Sequence, residues 1–176
     1  MPKEAKNQWA LTYAPAHEAL DAMNLRLLAH LQENPRLTMS ELGRRVAMSS
    51  PAVTERVRRM EEAGIIAGYR LDIDPSALGL PVAAYIRVRP SPGQLPKIAE
   101  LASQIAEVVE CHRVTGEDCF IIKVHLPAMD QLDRVLDRFL LYGMTTTSII
   151  QSSPIPLRSL PVPAPPNDIV DESRTS

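Results

Sequence analysis

Cysteine is scarce in this chain, with two residues, Cys111 and Cys119, among 176. A small secreted scaffold stapled by disulfides carries more of them, in pairs. No apolar run approaches the ~20 residues of a membrane span. The first nineteen residues, with Lys3, Glu4 and Lys6, lack the sustained apolar stretch of a secretory signal. These absences argue against a secreted or membrane-spanning protein and give a cytoplasmic expectation. Also missing are a nucleophile motif, a glycine-rich phosphate loop and paired catalytic carboxylates. Cys111 and His112 are strand neighbours that point to opposite faces. With a hairpin pivoting near Glu117, Cys119 lies roughly 13 Å along the strand from Cys111, too far for a disulfide or a shared tetrahedral ion. His17 and His30 have no companions at ligand spacing. The sequence therefore gives no catalytic residue, no metal site and no cofactor, and the two thiols read as buried in a small core.

What is present is ordinary in bulk: 45% hydrophobic and 23% charged residues, enough chain for one or two small domains. The net charge of −2 is unevenly spread. Between Asn24 and Arg70, eight arginines stand against five glutamates, so a cationic module is embedded in an otherwise acidic chain.

Within that module, residues 38 to 64 read as two helices joined by a tight turn. Thr38 and Glu41 are spaced as a capping box, with Leu42 and Val46 on the apolar side. The chain turns through Ala47 and Met48 and restarts at Ser49 or Ser50, with Pro51 in the first turn, where a missing N–H is harmless. Gly64 stops the second helix. Steps of ~100° per residue put Val53, Val57 and Met60 on one stripe. Ser50, Pro51, Thr54, Glu55, Arg58 and Arg59 fall on the other side. A helix entering the major groove needs short residues near its N-terminus and long polar ones that reach base edges. Ser50, Pro51, Thr54, Glu55 and Arg58 are the candidate base readers: Arg58 for guanine, Glu55 for a cytosine amino group, Thr54 for a thymine methyl. Arg44, Arg45, Arg56 and Arg59 are the candidate phosphate contacts. The competing reading is a solvated helix whose RRMEE run forms i,i+3 and i,i+4 pairs and binds nothing.

The stretch SSPAVTERVRRMEEAGII followed by GYRLDIDPSALGL resembles the leucine-responsive regulator (Lrp/AsnC) family of transcription factors, a resemblance running from Leu20 to about Gln151. Asn24 stands where the family usually has aspartate, at N3 after an Asp21 cap. The resemblance implies a winged helix-turn-helix DNA-binding domain followed by an effector and oligomerisation domain. It also implies a homodimer that often assembles into tetramers or octamers, with an amino-acid or other small-molecule effector.

Residues 1–19 read as an N-terminal arm with Trp9 and Tyr13 as anchors, and 20–72 as the DNA-binding domain. Its first helix spans about Ala22 to Glu33, with Leu27, Leu28 and Leu31 inward, and Asn34-Pro35 ends it. The run IIAGYRLDID after Gly64 resembles a short wing strand. A linker, 73–81, follows, with Asp74 capping one turn and Gly79 ending it. Over 82–153 the period changes. Val82, Ala84, Ile86 and Val88 alternate as a half-buried strand, and Leu95, Ile98, Leu101 and Ile105 mark a helix. Val108 to Thr115, a turn at Gly116 to Asp118 and a strand from Cys119 to Leu126 come next. A helix carries Met129, Leu132, Val135, Leu136, Phe139 and Leu140, and Thr145 to Gln151 is a β-branched last strand. The β-α-β-β-α-β order predicts an α+β chain whose second domain is ferredoxin-like (ACT-like), with one sheet face left for a second copy.

In the family resembled, the effector binds near the turn between the second and third strands. Here that turn is VTGEDCF: Gly116 matches, while Cys119 replaces the usual aspartate and Asp118 an aromatic. A neutral thiol is a poor partner for an ammonium group, so either Glu117 or Asp118 takes that role or the effector is not a standard amino acid. Equally, GED reads as a polar hairpin turn. Thr145 and Thr147 are candidates for the same pocket, against the alternative of plain β-propensity at an edge. From Ser153 onward the prolines forbid regular structure, and 154–176 reads as an extended disordered tail. The leading function is a sequence-specific regulator binding double-stranded DNA. The alternatives are an architectural DNA organiser with little sequence preference and an enzyme similar to the sirohaem decarboxylases.

Overall fold

The computed structural model describes residues 20–163, and the expectations for the N-terminal arm and for the tail beyond 163 fall outside them. The described chain divides into two units: residues up to Arg70 together with those from Leu157 onward, and Leu71–Pro156. In the first, α1 spans Ala22–Glu33, α2 Met39–Val46 and α3 Ser50–Glu62. Each start is locally specified. Asp21 accepts the Asn24 N–H at 2.7 Å to open α1. At α2, Glu41 N–H donates to Thr38 Oγ1 at 3.2 Å while Glu41 Oε2 accepts the Thr38 N–H at 2.9 Å, completing the capping box. The α3 end is a full Schellman motif: Gly64 at φ 73° donates to the Glu61 carbonyl at 3.0 Å, and Ile65 N–H reaches the Met60 carbonyl at 2.9 Å. Leu27, Leu31, Leu37, Leu42, Val46, Val53, Val57 and Met60 form its core.

The expected wing strand is not formed: residues 65–74 make no strand ladder. A strand needs a neighbour to pair its N–H and C=O groups, and β-type alternation alone supplies none, so Tyr69, Leu71 and Ile73 stand exposed. The linker turn follows the sequence, with one 3₁₀ turn over Pro75–Leu78 capped by Asp74 and closed by Gly79 at φ 73°.

The second unit runs β1 (Val82–Pro90), α4 (Leu95–Gln104), β2 (Val108–Arg113), β3 (Phe120–Leu126), α5 (Asp130–Leu140) and β4 (Gly143–Ile149). The sheet order is β2-β3-β1-β4 with every neighbouring pair antiparallel. Ala84, Ile86 and Val88 with Phe120, Ile122, Val124 and Leu126 face α4 and α5, which contribute Ile98, Ala102, Leu132, Val135 and Phe139. Of the apolar residues at helical spacing there, two are exposed: Met129 precedes the helix, and Leu140 lies one 100° step beyond Phe139. The thiols also depart from expectation, because β2 is an edge strand: Cys111 is exposed and Cys119 only half-buried, both unbridged. Residues 154–163 carry no helix or strand, and the segment from Leu157 groups with the first unit, where Gln32 Nε2 donates to the Leu160 carbonyl at 3.0 Å.

Candidate nucleic-acid interface and effector site

The turn between α2 and α3 fixes the aim of α3. Its first residue, Ala47, adopts the left-handed conformation at φ 56°, and Ala47 and Met48 both donate to the Gly43 carbonyl, the latter at 2.9 Å. A methyl group on Gly43 would lie 2.6 Å from the Met48 carbonyl oxygen, so only glycine permits this approach. The sequence reading passed over Gly43, although a glycine inside an amphipathic helix is itself a signal of close packing.

With Val53, Val57 and Met60 buried, α3 turns Pro51, Thr54, Arg58 and Arg59 outward, with Ser50 and Glu55 half-exposed beside them. Ser49 makes no side-chain cap, and Thr54 Oγ1 donates to the Ser50 carbonyl at 2.9 Å. Arg58 is held by two carboxylates. Its Nε and Nη2 donate to Glu55 at 2.9 and 2.8 Å, and its Nη1 to Glu62. Arg59 Nε also reaches Glu55, at 2.7 Å. Hydrogen bonds from Arg58 and then Arg59 hold the Glu55 carboxyl down at about 2. The structure thus brings together Ser50, Pro51, Thr54, Glu55 and Arg58 on one surface, and it adds Glu62.

The four arginines assigned to phosphates divide. Arg44 and Arg45 are exposed on α2, Arg45 with Glu33 at 4.0 Å, and Arg59 is exposed on α3. Arg56 is placed otherwise. Its Nη1 donates to Asp21 at 2.6 Å and to Asn24 Oδ1 at 3.0 Å, tying α3 to the start of α1. Burial raises the Asp21 pKa, but the Arg56 guanidinium and the Asn24 N–H outweigh it and leave the carboxyl below the usual aspartate range. Arg56 is therefore a staple within the unit; its residue type suggests a phosphate contact and gives no sign that the start of α1 lies beside it. Asn24, in place of the usual aspartate, supplies a neutral acceptor to the same guanidinium.

The second candidate site lies at the β2–β3 turn. Gly116 takes φ 112°, and Val114 N–H donates to the Cys119 carbonyl at 2.9 Å to close the hairpin. The Cys119 thiol sits 3.9 and 3.8 Å from the Gly116 and Glu117 carbonyl oxygens. Glu117 and Asp118 meet two arginines of β1 that sequence reasoning did not select. Glu117 accepts from Arg89 Nη2, and Asp118 lies 3.8 Å from Arg87 Nε and 3.6 Å from Arg89 Nε. The expected threonines are not part of this cluster. Thr145 pairs with Val88 and Thr147 with Ile86, both on the helix-covered face, whereas Arg87 pairs with Thr146 and Tyr85 with Ser148 on the opposite face. Directly paired residues share a face and the period is two, so Thr145 and Thr147 lie on the face opposite Arg87 and Tyr85. Among the described residues no group of three His, Cys, Asp or Glu side chains is arranged to hold a metal ion, and no helix is long and apolar enough to cross a membrane.

Comparison with known proteins matches both units to family models: winged helix-turn-helix DNA-binding over residues 20–67 and Lrp/AsnC ligand binding domain over 83–160. The HTH-type transcriptional regulator LrpC of Bacillus subtilis is 31% identical over 133 residues, covering 76% of this chain and 92% of LrpC. A transcriptional regulator from Neisseria meningitidis, solved as a complex with L-Met, superposes with TM-score 0.73 at 30% identity over 81% of this chain and 96% of its own. A feast or famine regulatory protein from M. tuberculosis, complexed with L-methionine, gives TM-score 0.73 at 30% identity, with coverages of 82% and 99%.

Proposed function

This chain belongs to the Lrp/AsnC family of transcriptional regulators, and from that premise we propose that it binds double-stranded DNA sequence-specifically through α3 and that an amino acid modulates the binding. The observation carrying the reading is the outer surface of α3. Ser50 and Pro51 are short enough for close approach. Thr54, its hydroxyl engaged by the Ser50 carbonyl, offers its methyl to thymine. Arg58 is the guanine reader and Glu55 the acceptor for a cytosine amino group. Arg44, Arg45 and Arg59 contact phosphates and orient the helix. A two-fold homodimer, able to assemble further, presents two such helices to the halves of a palindromic site. Residues 20–72 form the DNA-binding part, 73–81 the linker and 82–153 the effector-binding and oligomerisation part, in a cytoplasmic protein.

The effector reading follows from the cluster at the β2–β3 turn. An amino acid is a zwitterion, and Glu117 and Asp118 facing Arg87 and Arg89 offer both charges it needs. The carboxylates take its ammonium group and an arginine takes its carboxylate. Gly116 allows close backbone approach there, and Cys119, half-buried behind the turn, contributes contact rather than charge. The two relatives solved with methionine support an amino acid as the class.

Selection of bound duplexes from a random pool at near-physiological salt, run with and without the twenty amino acids, tests both parts. A two-fold symmetric motif with altered enrichment in the presence of amino acids is expected. Binding without any motif would replace this reading with an architectural one, and absence of binding would return attention to an enzyme.

A further inference from the structure

Arg58 stands at the centre of an intrahelical row, with Glu55 three residues before it and Glu62 four after, one turn away on either side. Glu55 fills the Nε–Nη2 edge of the guanidinium, and Glu62 takes Nη1. The same Glu55 holds Arg59. All four side chains are at least two-fifths exposed, so their pairing is not a demand of the buried core. Its energetic value in water is small.

We propose that Glu62 is a specificity-determining residue that, with Glu55, holds the Arg58 guanidinium between two carboxylates, lowering affinity for random DNA more than for the recognised sequence. An unaccompanied arginine on this surface would meet any phosphate, and each added phosphate contact increases binding without regard to sequence. Clamped, Arg58 brings its own counter-charges to the backbone, and the helix gains little from a loose, phosphate-only encounter. On the recognised site the guanine N7 and O6 acceptors replace part of the clamp, and Glu62 keeps the guanidinium plane oriented toward them. Glu62 acts through Arg58 as a positioning residue. The inference rests on the proposed role of Arg58 as a base reader.

The test compares Kd by fluorescence anisotropy for the selected site and a scrambled duplex, over a range of salt concentrations, using the full-length protein. For Glu62→Gln we expect binding to the scrambled duplex about fivefold tighter at 0.15 M salt, with a salt slope steeper by about 0.9, as for one added net positive charge. We expect the selected site to gain less, so that the affinity ratio falls. Glu61→Gln removes a charge one residue away that pairs with Tyr69 rather than Arg58, and it should leave the ratio unchanged. Equal gains on both duplexes for Glu62→Gln, no gain at all, or the same fall in ratio for Glu61→Gln would overturn the proposal. Arg58→Ala separates this failure from failure of the premise. If the unmodified protein discriminates but Arg58→Ala discriminates equally well, base reading by Arg58 falls and the role of Glu62 falls with it.

Discussion

Replacing Gly43 by alanine sets two physical effects of opposite sign against each other. Helix propensity alone favours the change by about 1 kcal/mol, because glycine loses more backbone freedom than alanine on entering a helix. The structure demands the reverse. The new methyl would stand 2.6 Å from the Met48 carbonyl oxygen and 3.6 Å from the Met48 and Ser49 carbonyl carbons. An ordinary C···O contact is about 3.3 Å or longer, so the turn must move by several tenths of an ångström. That movement strains the hydrogen bonds that Ala47 and Met48 make to the Gly43 carbonyl. Overpacking of this kind costs about 1–3 kcal/mol, leaving a net loss of up to ~2 kcal/mol after the propensity gain. For so small a helical unit each kcal/mol is worth about 4–8 °C. Thermal melts of the full chain followed by far-UV circular dichroism should show the helical transition lowered by several degrees. DNA affinity should fall as well, because α3 is displaced from its aim. A melting temperature above that of the unmodified protein, as the propensity gain alone would give, would refute the claim that this glycine is held by backbone proximity.

Ala47→Gly should move stability the other way: an alanine at φ 56° bears left-handed strain of about 1–2 kcal/mol, which exceeds the roughly 0.5–1 kcal/mol entropy cost of glycine, so the same melt should rise by a few degrees. The Glu55 carboxyl, ordinarily near 4.5, should titrate at about 2 in carbon-detected NMR; since the folded value is the depressed one, its pairing is fully present above about pH 4.5 and disappears as pH falls through about 2, and Arg58→Ala should move the midpoint back upward. Phe139→Ala, at a fully buried ring between α5 and the sheet, should cost about 3–5 kcal/mol, read as a lower denaturant midpoint of the second unit. For the effector site, Thr146→Val should alter amino-acid binding in calorimetry while Thr145→Val leaves it unchanged; the opposite ranking would return the site to the helix-covered face.

Local signals were legible in the sequence wherever a residue type has one strong conformational use. Thr38 with Glu41, Pro51, Gly64, and Asp74 with Gly79 marked helix and turn boundaries, and the core stripe of α3 followed from its period. Apolar alternation gave β1, central in the sheet, where burial and pattern coincide. Tertiary placement was harder to read. Nothing in Arg56 itself says that the start of α1 will lie within 3 Å of it, and Arg87 and Arg89 are linked to Glu117 and Asp118 only through the pairing of β1 with β3. The face taken by Thr145 and Thr147 was equally hidden, because the register of an edge strand is fixed by its neighbour and not by its own β-branched composition. The run from Ile65 to Asp74 has the pattern of a strand without a partner to pair with.

The sheet register also orders events in time. β1 is central, yet both of its neighbours come later in the chain: Val82 pairs with Leu126, and Ala84 with Ile149. The three-helix core of α1, α2 and α3, built from contacts between residues close in sequence, can form as soon as the stop at Gly64 has left the ribosome. β1 then waits some forty residues for its first neighbour and more than sixty for its second. During that interval its alternating apolar face and both hydrogen-bonding edges are open, so the nascent chain should be most sensitive to chaperone supply while β3 and β4 are still being synthesised.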